Sequence, residues 1–179
     1  PRSASAGVRV RGICYHDDFM TVDQVLELAR NERVKFLRLQ FTDILGVIKT
    51  VEVPADQIER AMKGQLLFDG SSIEGFTRME ETDKVLKPDP DTFRILPWSS
   101  NGERIGRSIS DVYNPDDTPF EGCPRLTLKR MIGRARSIGY SLQVGPEIEF
   151  FLFHRKPNGD ATTETHDRGS YFDMTPAEK

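Results

Sequence analysis

The sequence predicts an α+β protein whose second folding unit is only begun. Three observations carry this. Two period-two segments, 35–42 and 47–53, are joined by a turn short enough to make a hairpin. Segments with helical spacing of apolar residues precede and follow that hairpin. After a proline-rich stretch, 114–124, the pattern changes to one long helix and then to a run that is apolar on both faces.

Residues 1–18 read as a tail, because 1–7 are small and polar and no period is visible. Thr21 opens the first helix. Thr21 and Gln24 stand at capping-box spacing, Val22, Val25, Leu26 and Ala29 share a face, and the helix is expected to end near Asn31. In the first strand Leu37, Leu39 and Phe41 alternate with Arg38 and Gln40. Asp43-Ile44-Leu45-Gly46 turns the chain, and Val47, Lys49, Val51 and Val53 share one face of the return strand. Pro54 stands near the start of a second helix with Ile58, Ala61 and Met62 as its buried stripe and Gly64 as its stop. Leu66-Leu67-Phe68 reads as a short buried strand. It runs into Asp69-Gly70-Ser71-Ser72-Ile73-Glu74-Gly75, a loop with two glycines and four polar side chains. Short strands are expected around 84–86, 94–97 and 104–113, followed by a domain boundary in the connector 114–124.

Beyond the connector, 124–138 reads as a helix with Leu128, Met131, Ile132, Ala135 and Ile138 as its stripe and Gly139 as its end. Segments 141–145 and 147–154 read as strands. In the latter, Ile148, Phe150 and Leu152 point one way and Phe151 and Phe153 the other, which suits a strand inside a larger sheet. Nothing in the remaining 25 residues looks able to cover it, so the pattern predicts the opening segment of a larger domain.

Composition narrows the function classes. The 179 residues carry 25 basic and 28 acidic side chains, a net charge of −3, with 30% charged and 37% hydrophobic residues. That is globular, and it lacks the basic excess of nucleic-acid binders and the pull toward an anionic membrane. No apolar run approaches the roughly 18 residues of a membrane span. Residues 1–11 have no signal-peptide core, and the chain starts at Pro1, as a processed or excised piece would. Cys14 and Cys123 are far apart and near no Cys/His cluster, so they are expected to be reduced thiols in the cytoplasm.

Glu147 and Glu149 are the sharpest chemical signal. At i and i+2 of a strand both carboxylates share a face, about 6.6 to 6.8 Å apart along the chain. Phe151 and Phe153 continue that face as an apolar wall, against which two carboxylates are costly without a cation. A hard divalent ion suits this oxygen chemistry. Solvated carboxylates, or partners for arginines, remain open. So does a retaining-glycosidase pair, with carboxyls about 5 to 5.5 Å apart, though those usually come from different strands. In the 69–75 loop, Asp69 can accept a proton or bind a cation, Ser71 and Ser72 offer hydroxyls, and an ordinary capped turn is the plain alternative. Arg78 among Glu80, Glu81 and Asp83 reads as a solvated ion-pair cluster. His16, His154 and His166 have no partner at ligand spacing. No P-loop, Rossmann turn or Gly-x-Ser-x-Gly motif is present.

Several long motifs together resemble one family. Phe36-Leu37-Arg38-Leu39-Gln40-Phe41-Thr42-Asp43-Ile44-Leu45-Gly46 resembles the opening hairpin of type I glutamine synthetase, and Phe68-Asp69-Gly70-Ser71-Ser72-Ile73-Glu74-Gly75-Phe76 its latch loop. Asn114-Pro115-Asp116, Pro119-Phe120-Glu121-Gly122 and Gly145-Pro146-Glu147-Ile148-Glu149-Phe150-Phe151-Leu152-Phe153 are similar in order and spacing. The resemblance runs from about residue 23 to 176 and covers roughly the first third of the family's length.

With residues 1–18 read as a tail and 114–124 as a linker, the resemblance implies a β-grasp domain over 19–113 and the truncated start of an α+β catalytic domain over 125–179. It implies ATP-dependent joining of ammonia to glutamate through γ-glutamyl phosphate, with two or three Mg2+ or Mn2+ ions. Glu147 and Glu149 then match ligands of different ions, one orienting the nucleotide phosphates and the other glutamate. Asp69 matches the aspartate that binds ammonium and takes its proton, Ser72 the serine beside it, and Tyr171 a tyrosine of the ammonium site, although Gly169-Ser170 replaces the family's paired glycine. Arg78 resembles an arginine tied to feedback inhibition by glutamine. The family assembles as two stacked hexameric rings, each site lying between one subunit's N-terminal domain and the neighbouring subunit's catalytic domain. Residues 1–18 have no counterpart, Cys123 stands where an acidic residue is expected, and most of the ATP site falls beyond Lys179. The chain alone is therefore expected to be inactive. A ligase for another amine or acid, and a non-enzymatic β-grasp interaction module, are the alternatives.

Overall fold

Residues 19–73, 83–98, 102–165, 169 and 172–173 are described in the computed structural model, so the expected tail 1–18, Arg78 and Tyr171 lie outside the described residues. The chain divides into two units, 1–141 and 142–179.

The alternation of Leu37, Leu39 and Phe41 builds the first unit. These three side chains of β1 (Val34–Thr42) are buried on one face, and β2 (Ile48–Pro54) pairs antiparallel with Leu37 opposite Val53 and Leu39 opposite Val51. The turn between them is held by a buried carboxylate. Asp43 Oδ1 accepts the Leu45 and Val47 N–H groups, both at 2.9 Å, and Lys49 Nζ lies 3.3 Å from Oδ2. Burial opposes the charge, but the Val47 N–H, Lys49 and the Leu45 N–H outweigh it and hold the Asp43 carboxyl below its ordinary range.

On its other side β1 pairs in parallel with β6 (Arg104–Tyr113), about seventy residues away in sequence. Among the described residues six strands form one sheet in the order β2-β1-β6-β4-β3, with β5 (Arg94–Ile95) also on β6. β4 is Asp83–Pro88 and β3 is Leu66–Asp69. A parallel pair needs a crossover, and α2 (Ile58–Met62) lies within it.

Two helices supply the rest of the core. α1 (Val22–Asn31) starts in the expected capping box, Thr21 Oγ1 accepting the Gln24 N–H at 3.2 Å and Gln24 Oε1 accepting the Thr21 N–H at 2.7 Å. Its Val25, Leu26 and Ala29 join Ile58, Ala61 and Met62 of α2, Leu86 of β4, Val112 of β6 and Phe93 in one buried cluster. Gly64 ends the α2 segment at φ +68°, which a side chain would resist. Gly106 is required by proximity, since a Cβ there would stand 2.8 Å from the buried Phe93 ring.

α3 (Pro124–Ser137) follows the connector. Cys123 at its N-cap is buried and Leu126 half-buried against the core. Its next turn is fastened by charge. Arg125 reaches Asp111 Oδ1 at 2.8 Å and Asp89 Oδ2 at 2.5 Å, and Lys129 reaches Asp111 Oδ2 at 2.6 Å. Burial disfavours the Arg125 charge, and the hydrogen bonds it donates to both aspartates more than offset this, so its pKa is raised.

Three sequence expectations need correction. Leu66-Leu67-Phe68 is not a buried strand but the sheet's edge among the described residues, with Leu67 exposed, because none of these residues pairs beyond it. The stripe on α3 is not buried as a whole: Leu128, Met131 and Ile138 are exposed, since the helix docks through Arg125 and Lys129 instead. Residues 141–152 form no strand. Among the described residues of the second unit β7 (Phe153–Arg155) and β8 (Ala161–Thr165) pair, across a turn with Gly159 at φ +87°. A strand is defined by a neighbour, and 141–152 has none among the described residues, so its apolar side chains lie exposed.

Leu39→Ala is expected to lower stability by about 2–5 kcal/mol, and Leu128→Ala by less than about 0.5 kcal/mol, in urea unfolding followed by circular dichroism. Arg125→Met is expected to speed amide hydrogen exchange over 124–137 while leaving β1 and β6 protected; equal protection of α3 in both forms would refute the charge-fastened docking.

Candidate active site

The ladder between β3 and β4 ends at the pair Asp69 and Asp83, and the chain then tightens into a 3-10 turn, Gly70–Ser72. Asp69 caps that turn. Its Oδ1 accepts the Ser71 N–H at 2.8 Å and the Ser71 hydroxyl at 2.6 Å. The Ile73 N–H closes the turn on the Gly70 carbonyl at 3.0 Å. Gly70 is buried, Ser71 half-buried, and Asp69 and Ser72 are exposed at the rim. The Ser71 hydroxyl, then its N–H, hold the Asp69 carboxyl below the ordinary range against a smaller opposing effect of burial. The result is an ionised carboxylate in a fixed orientation, able to hold a cation at neutral pH. Asp69 and Ser72 are thus brought onto one short turn, as their spacing predicts.

Glu147 and Glu149 lie in the second unit, exposed, in the stretch without regular structure. Further along it the Phe151 and Phe153 rings stack with centroids 6.3 Å apart, so side chains two residues apart do share a side there. Hard carboxylate oxygens suit Mg2+ or Mn2+, but two carboxylates do not complete a shell of six. Among the described residues no group of three or more His, Cys, Asp or Glu side chains converges. Ser71 was named from sequence only as a hydroxyl of the loop, and the cluster of Asp89, Asp111, Arg125 and Lys129 was not singled out. The Asp-x-Ser spacing of 69 and 71 is the signal that marks the former.

Residues 33–115 match the family model described as the glutamine synthetase β-grasp domain, and residues 121–179 match the glutamine synthetase catalytic domain. The chain belongs to the glutamine synthetase family. It is 56% identical over 163 residues to glutamine synthetase of Thermus thermophilus and 51% identical over 159 residues to that of Methanosarcina mazei. Each match takes in 89% of this chain and 36% of the relative, so the chain spans about 36% of the length of these glutamine synthetases. Among solved structures it is similar to Plasmodium falciparum glutamine synthetase, with TM-score 0.61 and 21% identity over 68% of this chain and 23% of that one. It is also similar to a GmaS/ADP complex, with TM-score 0.57 and 29% identity over 64% of this chain and 26% of that one. The sheet order above and these likenesses give the first unit its α+β, β-grasp fold. No helix among the described residues is long and apolar enough to cross a membrane.

The Asp69 carboxyl of this glutamine synthetase segment is expected to titrate below the ordinary aspartate value, because the Ser71 hydroxyl and N–H favour its charged form. Because folding lowers its pKa, its contribution to stability is present above the unfolded value and is lost as pH falls through the folded one. The carboxyl 13C shift of Asp69, followed by NMR through the acid range, measures this; a midpoint at or above the ordinary value would contradict the turn geometry.

Proposed function

We propose that the chain is the N-terminal portion of an ATP-dependent glutamate–ammonia ligase, forming glutamine through γ-glutamyl phosphate in the cytoplasm. The observation that carries this is the occurrence, in one chain and in family order, of the Asp69 turn and the Glu147/Glu149 pair inside the two matched segments. The ADP named for one solved neighbour supports an adenine nucleotide as co-substrate. Most of the nucleotide site belongs to sequence beyond Lys179, and the domain boundary is placed in 114–124.

In this reading Asp69 attracts ammonium by charge and accepts one of its protons, Ser72 lies beside the nitrogen, and Tyr171 completes the ammonium site. The freed ammonia attacks the γ-carbonyl carbon of the acyl phosphate; a C–N bond forms, the C–O bond to phosphate breaks, phosphate leaves, and the nitrogen gives its surplus proton to the departing phosphate or to water. Glu147 and Glu149 hold the divalent ions, whose chemistry is to neutralise phosphoryl charge and orient substrates. Arg78 is assigned to feedback control by glutamine. The reading also makes the working protein an oligomer, a dodecamer in the family, in which the Asp69 turn serves a neighbouring subunit's site.

The uninterrupted gene product is expected to release phosphate from ATP only when glutamate and ammonium are both present. Glu147→Gln or Glu149→Gln should cut kcat roughly a hundredfold or more, the effect of losing a metal ligand's charge stabilisation. The 179-residue chain alone should show no turnover. Ammonium-independent phosphate release by the whole enzyme, or glutamine formation by the 179-residue chain, would sink the reading.

A further inference from the structure

We propose that Ser71, through its hydroxyl, is a positioning residue that assigns the two oxygens of Asp69 different tasks, one structural and one for the ammonium ion; this rests on the ligase reading above. Both Ser71 donors converge on a single oxygen, Oδ1, at 2.8 and 2.6 Å. Two donors on one carboxylate oxygen fix its rotamer and use that oxygen's acceptor capacity within the turn. Oδ2 takes no hydrogen bond from the described residues, and Asp69 is exposed whereas Ser71 is half-buried. The donor residue is thus the less exposed of the two, and the second oxygen is left without a hydrogen bond from the described residues. At Asp89, by contrast, the turn N–H of Asp91 reaches Oδ1 at 3.2 Å and the carboxylate is held instead by Arg125 on Oδ2, so a hydroxyl is not needed to form such a turn. What the hydroxyl adds is restriction of the carboxylate to one orientation.

The connector supplies an internal control. Thr118 makes the same pair of bonds to Asp116 Oδ1, at 3.0 and 2.6 Å, in a different turn. If the motif only builds turns, Ser71→Ala and Thr118→Ala should have equal effects. If Ser71 orients the ammonium carboxylate, only Ser71→Ala should touch ammonium.

The test is steady-state kinetics of the full-length enzyme with ammonium and glutamate varied separately. Ser71→Ala is expected to raise the KM for ammonium about 3- to 10-fold, with the KM for glutamate within about twofold. It should also move the acid limb of kcat/KM for ammonium to higher pH, because a carboxylate that loses a donor titrates nearer its ordinary value. Ser71→Thr should restore both, and Thr118→Ala should change neither. In the 179-residue chain the Asp69 carboxyl midpoint should rise in the Ser71→Ala form, a readout independent of activity; if that form is insoluble, Ser71→Cys, a weaker donor of similar size, must show the same rise. Unchanged ammonium KM in Ser71→Ala, parallel changes in both KM values, or an unmoved midpoint overturns the proposal. Asp69→Asn separates the two ideas: a large rise in ammonium KM there with none in Ser71→Ala removes the Ser71 role alone, whereas no effect of Asp69→Asn removes the ammonium role of Asp69 and the proposal with it.

Discussion

The parallel pairing of β1 with β6 is the constraint from which the first unit hangs. It brings together two stretches about seventy residues apart, and every other strand is added to one of them: β2 to β1, and β5 and β4 to β6, with β3 beyond β4. The helices close over the face that this pairing makes apolar. The Asp69 turn is the last link in that series, since it begins where the β3–β4 ladder ends. Its place is therefore fixed by a ladder that is itself anchored in the core through Leu86 of β4. Loss of the β1–β6 register would displace the turn even with every residue of the loop intact.

Four aspartates show how one functional group is put to three uses by exposure and by partner. Asp43 is buried, and two N–H groups and Lys49 take up both its oxygens, so it can do nothing but hold the hairpin turn. Asp89 and Asp111 are partly buried and meet Arg125 and Lys129, so their charge is spent in attaching a helix. Asp69 is exposed and bonded through one oxygen by its own turn. Partly buried pairs of the second kind are costly to break from one side only, because the partner is left with an unmet charge. That explains how α3 can dock with its aliphatic side chains largely in solvent.

What was legible in the sequence was local. The capping box at Thr21, the alternation through Phe41 and the stripe Ile58, Ala61 and Met62 need only near neighbours to declare themselves, and each stands where its spacing puts it. The Asp69 loop was legible as a motif, and its capped turn as an Asx pattern. The parallel partner of β1 was not, because nothing in Val34–Thr42 names a strand so distant. The stretch 147–152 failed for a related reason: apolar alternation states a demand for burial, and only a neighbouring strand meets it. On α3 the same logic reversed the outcome. Its apolar stripe was visible, but Arg125 and Lys129, one turn apart, look in sequence like any solvated face, and the aspartates that claim them come from β6 and the segment after β4.

On the ligase reading the two acidic sites differ in the way their cations require. Ammonium carries one charge and its own hydrogen-bond donors, so a single carboxylate with one oxygen already committed matches it in charge and leaves one directed acceptor. A divalent ion brings no donors and needs a shell of oxygens, so a lone, half-committed carboxylate at an exposed turn serves it poorly, whereas two carboxylates two residues apart can each give charge and oxygen to one of two neighbouring ions. Exchanging the sites would fail on both counts: the paired glutamates would hold ammonium in its charged form and oppose its deprotonation, and Asp69 would leave a metal's shell largely to water. Discrimination between the cations thus rests on how many carboxylates each segment presents and on what Ser71 does with one oxygen of Asp69.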